Sequence, residues 1–123
     1  LRLGVRPELA SFVIPLCATI HLSGSMMKIT ACALAVSMLA GAELPTATFA
    51  GFIVLLGVTM VAAPGVPGGA IMAALGLLES MLGFDETLCG LMIATYIAMD
   101  SFGTATNVTG DGAIAVIVDR IAE

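Results

Sequence analysis

Three long apolar runs constrain the fold of this chain more than any other feature of its sequence. They cover residues 9–41, 46–82 and 88–120, and so include most of the 123 residues. About 20 apolar residues are enough for an α-helix to cross a bilayer, whereas a soluble domain of this length needs more charge than the 11% present here. We therefore predict an all-α membrane protein in a lipid bilayer; a very apolar soluble helical bundle is the less favoured alternative.

The charged and sulfur-containing residues argue against several other classes of protein. The net charge is −5, and the chain has neither a basic patch nor an array of aromatic side chains, so nucleic acid is not a predicted partner. Cys17, Cys32 and Cys89 lie inside apolar runs without CxxC spacing, which is typical of small buried hydrophobes rather than of zinc ligands or disulfides. We recognise no nucleophile–base pair or metal cluster, so we expect neither an enzyme nor a covalent cofactor.

The first run, residues 9–41, is long enough to span a bilayer, but its middle is polar. Pro15 and the segment HLSGS at residues 21–25 interrupt it, and that segment contains Gly24. Irregular backbone at membrane depth is tolerated only where it is buried in protein or lines a cavity. We therefore predict a broken transmembrane helix whose irregular middle belongs to a functional site.

The second run, residues 46–82, is divided by the segment APGVPGGA, which holds two prolines and three glycines. The arm after this segment has about 13 residues, or ~20 Å of helix, which is short for a bilayer core of about 30 Å. Two full spans therefore fit less well than a re-entrant helical hairpin with its tip near residues 62–69. The backbone groups that Gly and Pro leave free at such a tip need a polar site.

The last run, residues 88–120, is predicted to be one long transmembrane helix with a polar face. Four of its residues are spaced 4, 3 and 4 apart, which places them on one side of a helix: Asp100, Thr104, Asn107 and Asp111. A charged side chain inside a membrane costs at least ~2.5 kcal/mol on insertion scales. Such groups normally face a cavity on an ion or substrate path, and we predict such a cavity here.

Polar side chains near the break of the first run form a second candidate set. Hydroxyl groups and freed carbonyls there suit alkali cations, and the residues concerned are Thr19, His21, Ser23 and Ser25. A single histidine at this depth is more typical of a hydrogen-bonded core residue than of a proton relay. Lys28 is expected either to extend towards the membrane surface or to pair with a carboxylate in the core.

Three arginines indicate the topology. Arg2 and Arg6 precede the first run and Arg120 ends the last, and two spans with a hairpin between them place both ends on one side. The positive-inside tendency predicts that this side is cytoplasmic, in a multi-pass protein of the cytoplasmic membrane. The chain begins with a polar segment that lacks methionine, so we expect a fragment of a longer protein, without a cleavable signal peptide.

Three segments, in this order and spacing, resemble the last third of the sodium:dicarboxylate/amino-acid symporter family: FVIPLCATIHLSGS, AAPGVPGGAIM and MDSFGTATNVTGD. The resemblance covers about residues 4–120. It implies a homotrimeric, elevator-type symporter whose transport domain contains two re-entrant hairpins and two core helices, one of them broken. By this resemblance residues 1–123 are the C-terminal part of that domain, Na⁺ is the coupling ion, and the substrate is an amino acid or a dicarboxylate.

The resemblance also implies roles for individual residues. Asp100 matches the carboxylate that holds the substrate's α-amino group, and Asn107 matches a residue that contacts both the substrate and a sodium ion. The other substrate-binding positions are Thr104, Gly103 and the hairpin-tip residues Val66, Pro67 and Gly68. Asp111 matches a sodium-ligating carboxylate, and the further metal-binding positions are Cys17 (through its backbone oxygen), Thr19 and His21.

Two departures from the family pattern affect the predicted coupling and substrate. The broken helix of the family usually contains Asn-Met-Asp-Gly-Thr, but here Ser23 replaces the carboxylate and His21 replaces the first amide. We therefore expect fewer sodium ions, with H⁺ as the candidate substitute. The family's arginine, three residues after the substrate carboxylate, is Gly103 here. This is expected to leave a small void and to favour a neutral amino acid, unless Lys28 supplies a cation from another helix.

Two other functions stay open: a channel-like or structural helical subunit, and a truncated membrane fragment that does not transport. A channel would need a continuous polar stripe through a pore, whereas this sequence concentrates its polar residues at two breaks and one helix face. The abrupt start of the chain keeps the truncated fragment open.

Overall fold

Helices make up about 80% of the protein. The computed structural model describes residues 3–123. Leu1 and Arg2 lie outside the described residues, and Arg2 is one of the three arginines on which the predicted topology rests. The described part contains no β-strand and consists of six helices: α1 (Pro7–Ile20), α2 (Ser23–Leu39), α3 (Thr46–Ala62), α4 (Gly69–Leu82), α5 (Glu86–Ala98) and α6 (Asp100–Ile121). The prediction of an all-α protein is confirmed.

The first run is broken more briefly than the sequence suggests. α1 continues through Pro15, which removes one helical hydrogen bond without ending the helix. Only His21 and Leu22 separate α1 from α2, because the His21 N–H still donates to the Cys17 carbonyl (2.7 Å) and the Leu22 carbonyl accepts the first hydrogen bond of α2 (2.9 Å). The irregular segment is therefore shorter than the predicted residues 21–25.

The helix lengths differ between the ends and the middle of the chain. α1 and α2 together cover 33 residues and are long and apolar enough to cross a membrane. The pair α5 and α6 meets the same test if its two helices are counted as one span. Between them, α3 and α4 are apolar but have only 17 and 14 residues. The chain therefore has spanning length at both ends and a shorter helix pair in its middle.

The shorter pair, α3 and α4, packs together around a turn formed by residues 63–68. Gly68 ends this turn with a φ of 77°, which residues with a Cβ atom rarely adopt, and α4 starts directly after it. The centre of the main core is formed by fully buried side chains from both helices: Phe52, Leu56, Ile71 and Leu78. The re-entrant course of this hairpin in a bilayer stays a prediction.

The last run differs from the predicted single helix over residues 88–120. It forms two helices, α5 and α6, which meet at Met99 with a bend of 62°. At the bend, the Lys28 ammonium from α2 lies 3.3 Å from the Tyr96 carbonyl. A side chain that meets the backbone ladder in this way is a common cause of helix kinks. Apolar content along the chain predicts a helix but does not indicate where its axis turns.

α6 lies against both halves of the first run. Near its end, the Asp119 carboxylate accepts a hydrogen bond from the Arg6 guanidinium at 2.7 Å, and this bond raises the pKa of Arg6. The space between α1 and α6 is filled by a small apolar cluster: Val5, Ala10, Val13, Cys17 and Ala115. The ion pair and this cluster hold the start of α1 beside the end of α6.

Candidate functional site

A cavity of about 260 Å³ lies where the three runs meet. The break between α1 and α2 forms one wall, the turn between α3 and α4 forms the second, and the bent pair α5–α6 forms the third. Its lining consists of Ala18, His21, Leu22, Ser25, Pro64, Gly65, Val66, Pro67, Ala70, Tyr96, Asp100, Thr104, Asn107, Val108 and Asp111. The three polar places that the sequence analysis singled out therefore belong to one cavity.

Most of the predicted site residues line this cavity: Asp100, Thr104, Asn107, Asp111, His21, Val66 and Pro67. The predicted 4, 3, 4 spacing explains the first four, because α6 turns that face towards the cavity. Gly68 is not part of the lining; it serves as the N-cap of α4.

Thr19 and Cys17 face away from the cavity. Thr19 is exposed, and its hydroxyl donates to the Leu16 carbonyl (2.7 Å). The Cys17 side chain is buried in the cluster between α1 and α6, and its carbonyl oxygen already accepts the His21 N–H. A metal-binding role for these two residues stays a prediction.

His21 and Asp111 form a close pair between the break and α6. Nδ1 of His21 lies 2.8 Å from Oδ1 of Asp111, whose side chain is only 9% exposed. The imidazole ring rests on Gly110, where a Cβ atom would overlap it. Asp111 therefore has one of its two carboxylate oxygens bound across the helix interface.

Asn107 is held by the start of α2. Its Oδ1 accepts a hydrogen bond from the Gly24 N–H (2.7 Å), which is one of the N–H groups that a helix start leaves without a partner. Its Nδ2 lies 3.4 Å from the Ser25 hydroxyl, which also accepts a hydrogen bond from the Tyr96 hydroxyl (3.0 Å). These contacts fix the orientation of the amide at the cavity wall.

Lys28 is buried and pairs with Asp100. Its side chain is 6% exposed, and Nζ lies 3.3 Å from Oδ1 of Asp100 and 3.7 Å from the centroid of the Tyr96 ring. Of the two expectations for Lys28, pairing with a carboxylate is the one observed. The predicted void at Gly103 is wrong, because the end of the Lys28 side chain occupies that space.

The comparison with known proteins decides the family. The sequence signature of the sodium:dicarboxylate symporter family matches residues 1–121. The chain belongs to the sodium:dicarboxylate symporter family. It is 32% identical over 123 residues to the serine/threonine transporter SstT of Acinetobacter baumannii strain SDF and 31% identical to SstT of a second strain, AYE. Each alignment covers 96% of this chain and 30% of the relative.

A more distant relative comes from an animal. The Caenorhabditis elegans protein glt-4 is 28% identical over 123 residues. Its name describes it as a sodium-dependent excitatory amino acid transporter. That alignment covers 97% of this chain and 24% of glt-4. No solved structure was found to match the chain. The chain thus spans less than a third of the length of these curated relatives, which are named as transporters.

Each of the two carboxylates at the cavity of this symporter-family chain has a partner from the first run. Asp111 contacts His21, and Asp100, whose side chain is 44% exposed, contacts Lys28 from behind. Within residues 3–123, no Lys or Arg side chain lines the cavity. The same part of the chain has no group of three His, Cys, Asp or Glu side chains placed to hold a metal ion. A cation here would depend on one carboxylate and on neutral oxygens, which suits a hard ion.

Sequence reasoning missed Tyr96 as a member of this symporter-family site. Its ring contacts the Lys28 ammonium, its hydroxyl binds Ser25, and its backbone oxygen accepts from Lys28. A signal was present, because Tyr96 is the only tyrosine of the chain and precedes Asp100 by four residues. Both of its polar groups need partners inside an apolar helix.

Proposed function

We propose that this chain is the C-terminal part of the transport domain of a cation-coupled symporter that carries an amino acid across the cytoplasmic membrane. The observation that carries the proposal is the cavity at which the break, the hairpin turn and the polar face of α6 meet. Helix breaks and hairpin tips that face one polar cavity are the usual construction of a substrate site inside a membrane.

The substrate that fits this cavity best is a small neutral amino acid such as serine or threonine. Asp100 is half-exposed and offers a carboxylate oxygen to an α-amino group. Lys28 lies behind Asp100 and outside the cavity lining, so it does not replace the missing arginine as a partner for an acidic side chain. A second substrate carboxylate would then be buried without a partner, which costs several kcal/mol. The names of the SstT relatives agree with this choice.

The size of the cavity supports a small substrate. Sites that enclose drug-sized ligands have volumes of about 300–1,000 Å³, and this cavity of about 260 Å³ lies just below that range. Apolar side chains from the turn, Val66 and Pro67, line the same cavity as Asp100 and Asn107. A short side chain would meet this apolar wall.

Sodium is the proposed coupling ion, with Asp111 as its charged ligand and the Asn107 amide as a neutral one. Both side chains lie on the cavity face of α6. The family name supports sodium. The elevator mechanism and the homotrimer are proposals for the whole protein. The SstT relatives are about three times as long as this chain. The Arg6–Asp119 pair keeps the two chain ends together, which supports placing both on one side of the membrane; that this side is cytoplasmic stays a prediction from the arginines.

Competition for uptake tests the proposed substrate. With the complete reading frame reconstituted in liposomes under a sodium gradient, unlabelled serine, threonine and alanine are expected to compete well with labelled serine. Aspartate and succinate are expected to need at least about 100-fold higher concentrations, since each would bury an unpaired carboxylate. Stronger competition by aspartate or succinate than by serine would show that the neutral-substrate assignment is wrong.

The same liposomes separate the symporter from its rivals. Accumulation of labelled serine above the external concentration, and only under a sodium gradient, is expected for a symporter. A channel would equilibrate the label without accumulating it, and a fragment that does not transport would show neither result. Upstream sequence with further apolar runs would favour the symporter, and a start codon near Leu1 would favour the fragment.

A further inference from the structure

The buried ammonium of Lys28 binds both helices of the bent pair. On α5 it contacts Tyr96 twice, at the backbone oxygen (3.3 Å) and over the ring (3.7 Å to the centroid). On α6 it contacts Asp100, the first residue of that helix (3.3 Å). These two residues lie on either side of the bend at Met99. One side chain from α2 therefore connects the end of α5 to the start of α6.

The chemistry of the bend explains why a cation fits there. The last carbonyl groups of α5 have no partner within their own helix, and water is scarce inside a membrane. A lysine ammonium can satisfy such carbonyls and interacts favourably with the negative end of the helix dipole. The Asp100 carboxylate at the positive end of α6 is favourable for the same reason. Lys28 thus binds the two charged or polar groups that the bend exposes.

Gly103 makes room for this arrangement. A Cβ atom at residue 103 would lie 2.5 Å from Cε and 2.9 Å from Nζ of Lys28, closer than real Cβ contacts. The atoms in the way belong to the flexible end of a side chain, so an added methyl group would displace the ammonium rather than the backbone. The position of Lys28 therefore depends on a glycine one turn after Asp100.

We infer that Lys28, seated on Gly103, is a positioning residue that holds the α5–α6 bend and sets the direction of the Asp100 carboxylate. Lys28 does not line the cavity, so it acts through Asp100 rather than on the substrate. Its ammonium occupies one carboxylate oxygen from behind and leaves the half-exposed remainder of Asp100 to the cavity. The effect on transport rests on the proposed function, in which Asp100 binds the α-amino group.

Gly103→Ala is the most selective test, because it moves Lys28 without altering it. Alanine forms helices better than glycine does, which offsets part of the stability lost when the ammonium leaves its partners, so the melting temperature of the complete protein is expected to change little. The serine concentration for half-maximal uptake is expected to rise about tenfold or more, with the maximal rate less affected, because a hydrogen bond to a charged group is lost. Gly90→Ala on α5, where no described atom from another part of the chain lies within 4 Å of the added methyl group, is the matched control and should change neither the half-maximal serine concentration nor the maximal rate.

A double-mutant cycle tests whether the two residues act together. Lys28→Ala is expected to weaken uptake about as much as Gly103→Ala does, and adding Gly103→Ala to Lys28→Ala should have little further effect. Lys28→Met keeps most of the side-chain packing but removes the ammonium. It should give the same loss of uptake, and it replaces Lys28→Ala in the cycle if Lys28→Ala does not fold. Independent, multiplicative losses in the cycle would overturn the inference.

A measurement that does not need transport separates this inference from the proposed function. Hydrogen–deuterium exchange of the complete protein in nanodiscs should be faster over residues 93–103 in Lys28→Met and Gly103→Ala than in the wild type or in Gly90→Ala. Unchanged exchange over this segment in both variants would overturn the role of Lys28 at the bend. If the wild type accumulates no amino acid but the exchange increases as expected, the proposed function fails and the role of Lys28 at the bend stands.

Discussion

Replacing Asp111 with asparagine is expected to lower the rate of cation-dependent uptake about 100-fold or more. The carboxylate is buried at the cavity wall and bonded to His21 at 2.8 Å. Asparagine has nearly the same shape, so the change removes charge rather than packing. A hard cation loses its charged oxygen ligand, and the hydrogen bond to His21 loses its charged acceptor; a hydrogen bond to a charged group contributes about 1.5–3 kcal/mol.

The measurement is the sodium dependence of serine uptake in liposomes. The sodium concentration for half-maximal uptake should increase strongly in Asp111→Asn, so that added sodium does not restore the wild-type rate. Asp119→Asn is the matched control, because Asp119 lies on the same helix but pairs with Arg6 at its far end, outside the cavity. It should keep the wild-type sodium dependence. Equal sodium dependence in both variants would contradict the proposed cation site.

Gly24→Ala is expected to disrupt both the packing of α2 on α6 and transport. An added methyl group would overlap the Gly103 carbonyl oxygen and would lie 2.8 Å from Cβ of Thr106. Both of these atoms belong to or adjoin the backbone of α6, so the two helices must separate. At Gly103, by contrast, an added methyl group displaces only the flexible Lys28 side chain. Overpacking of this kind costs about 1–3 kcal/mol. The separation also breaks the hydrogen bond from the Gly24 N–H to Asn107.

Thermal unfolding and serine uptake measure the two effects of Gly24→Ala. We expect the melting temperature of the complete protein to fall by about 1–4 °C and uptake to be nearly lost. Gly76→Ala on α4, where no described atom lies within 4 Å of the new methyl group, is the control and should be stable and active. A Gly24→Ala protein with wild-type stability and uptake would show that α2 and α6 do not need this close approach.

The sequence by itself determined the class of the protein and the positions of most helices. Long apolar runs leave few alternatives to membrane helices, and the glycines and prolines around residues 63–70 mark the turn between α3 and α4. The spacing of Asp100, Asn107 and Asp111 indicated their shared face, because helical periodicity is a local property of the chain. The matched segments were also enough to identify the symporter family.

Only the tertiary structure decided how these elements bend and pair. The contact of Lys28 with Asp100 at the 62° bend joins residues 72 positions apart, and the pair of His21 and Asp111 joins residues 90 positions apart. No local pattern encodes such contacts, because they depend on which helix faces lie together. Gly103 shows the difference most clearly: its missing side chain predicted a void, but whether a void stays empty depends on a neighbour from another helix. The structure places Lys28 there, which fills the space and puts a cation beside Asp100.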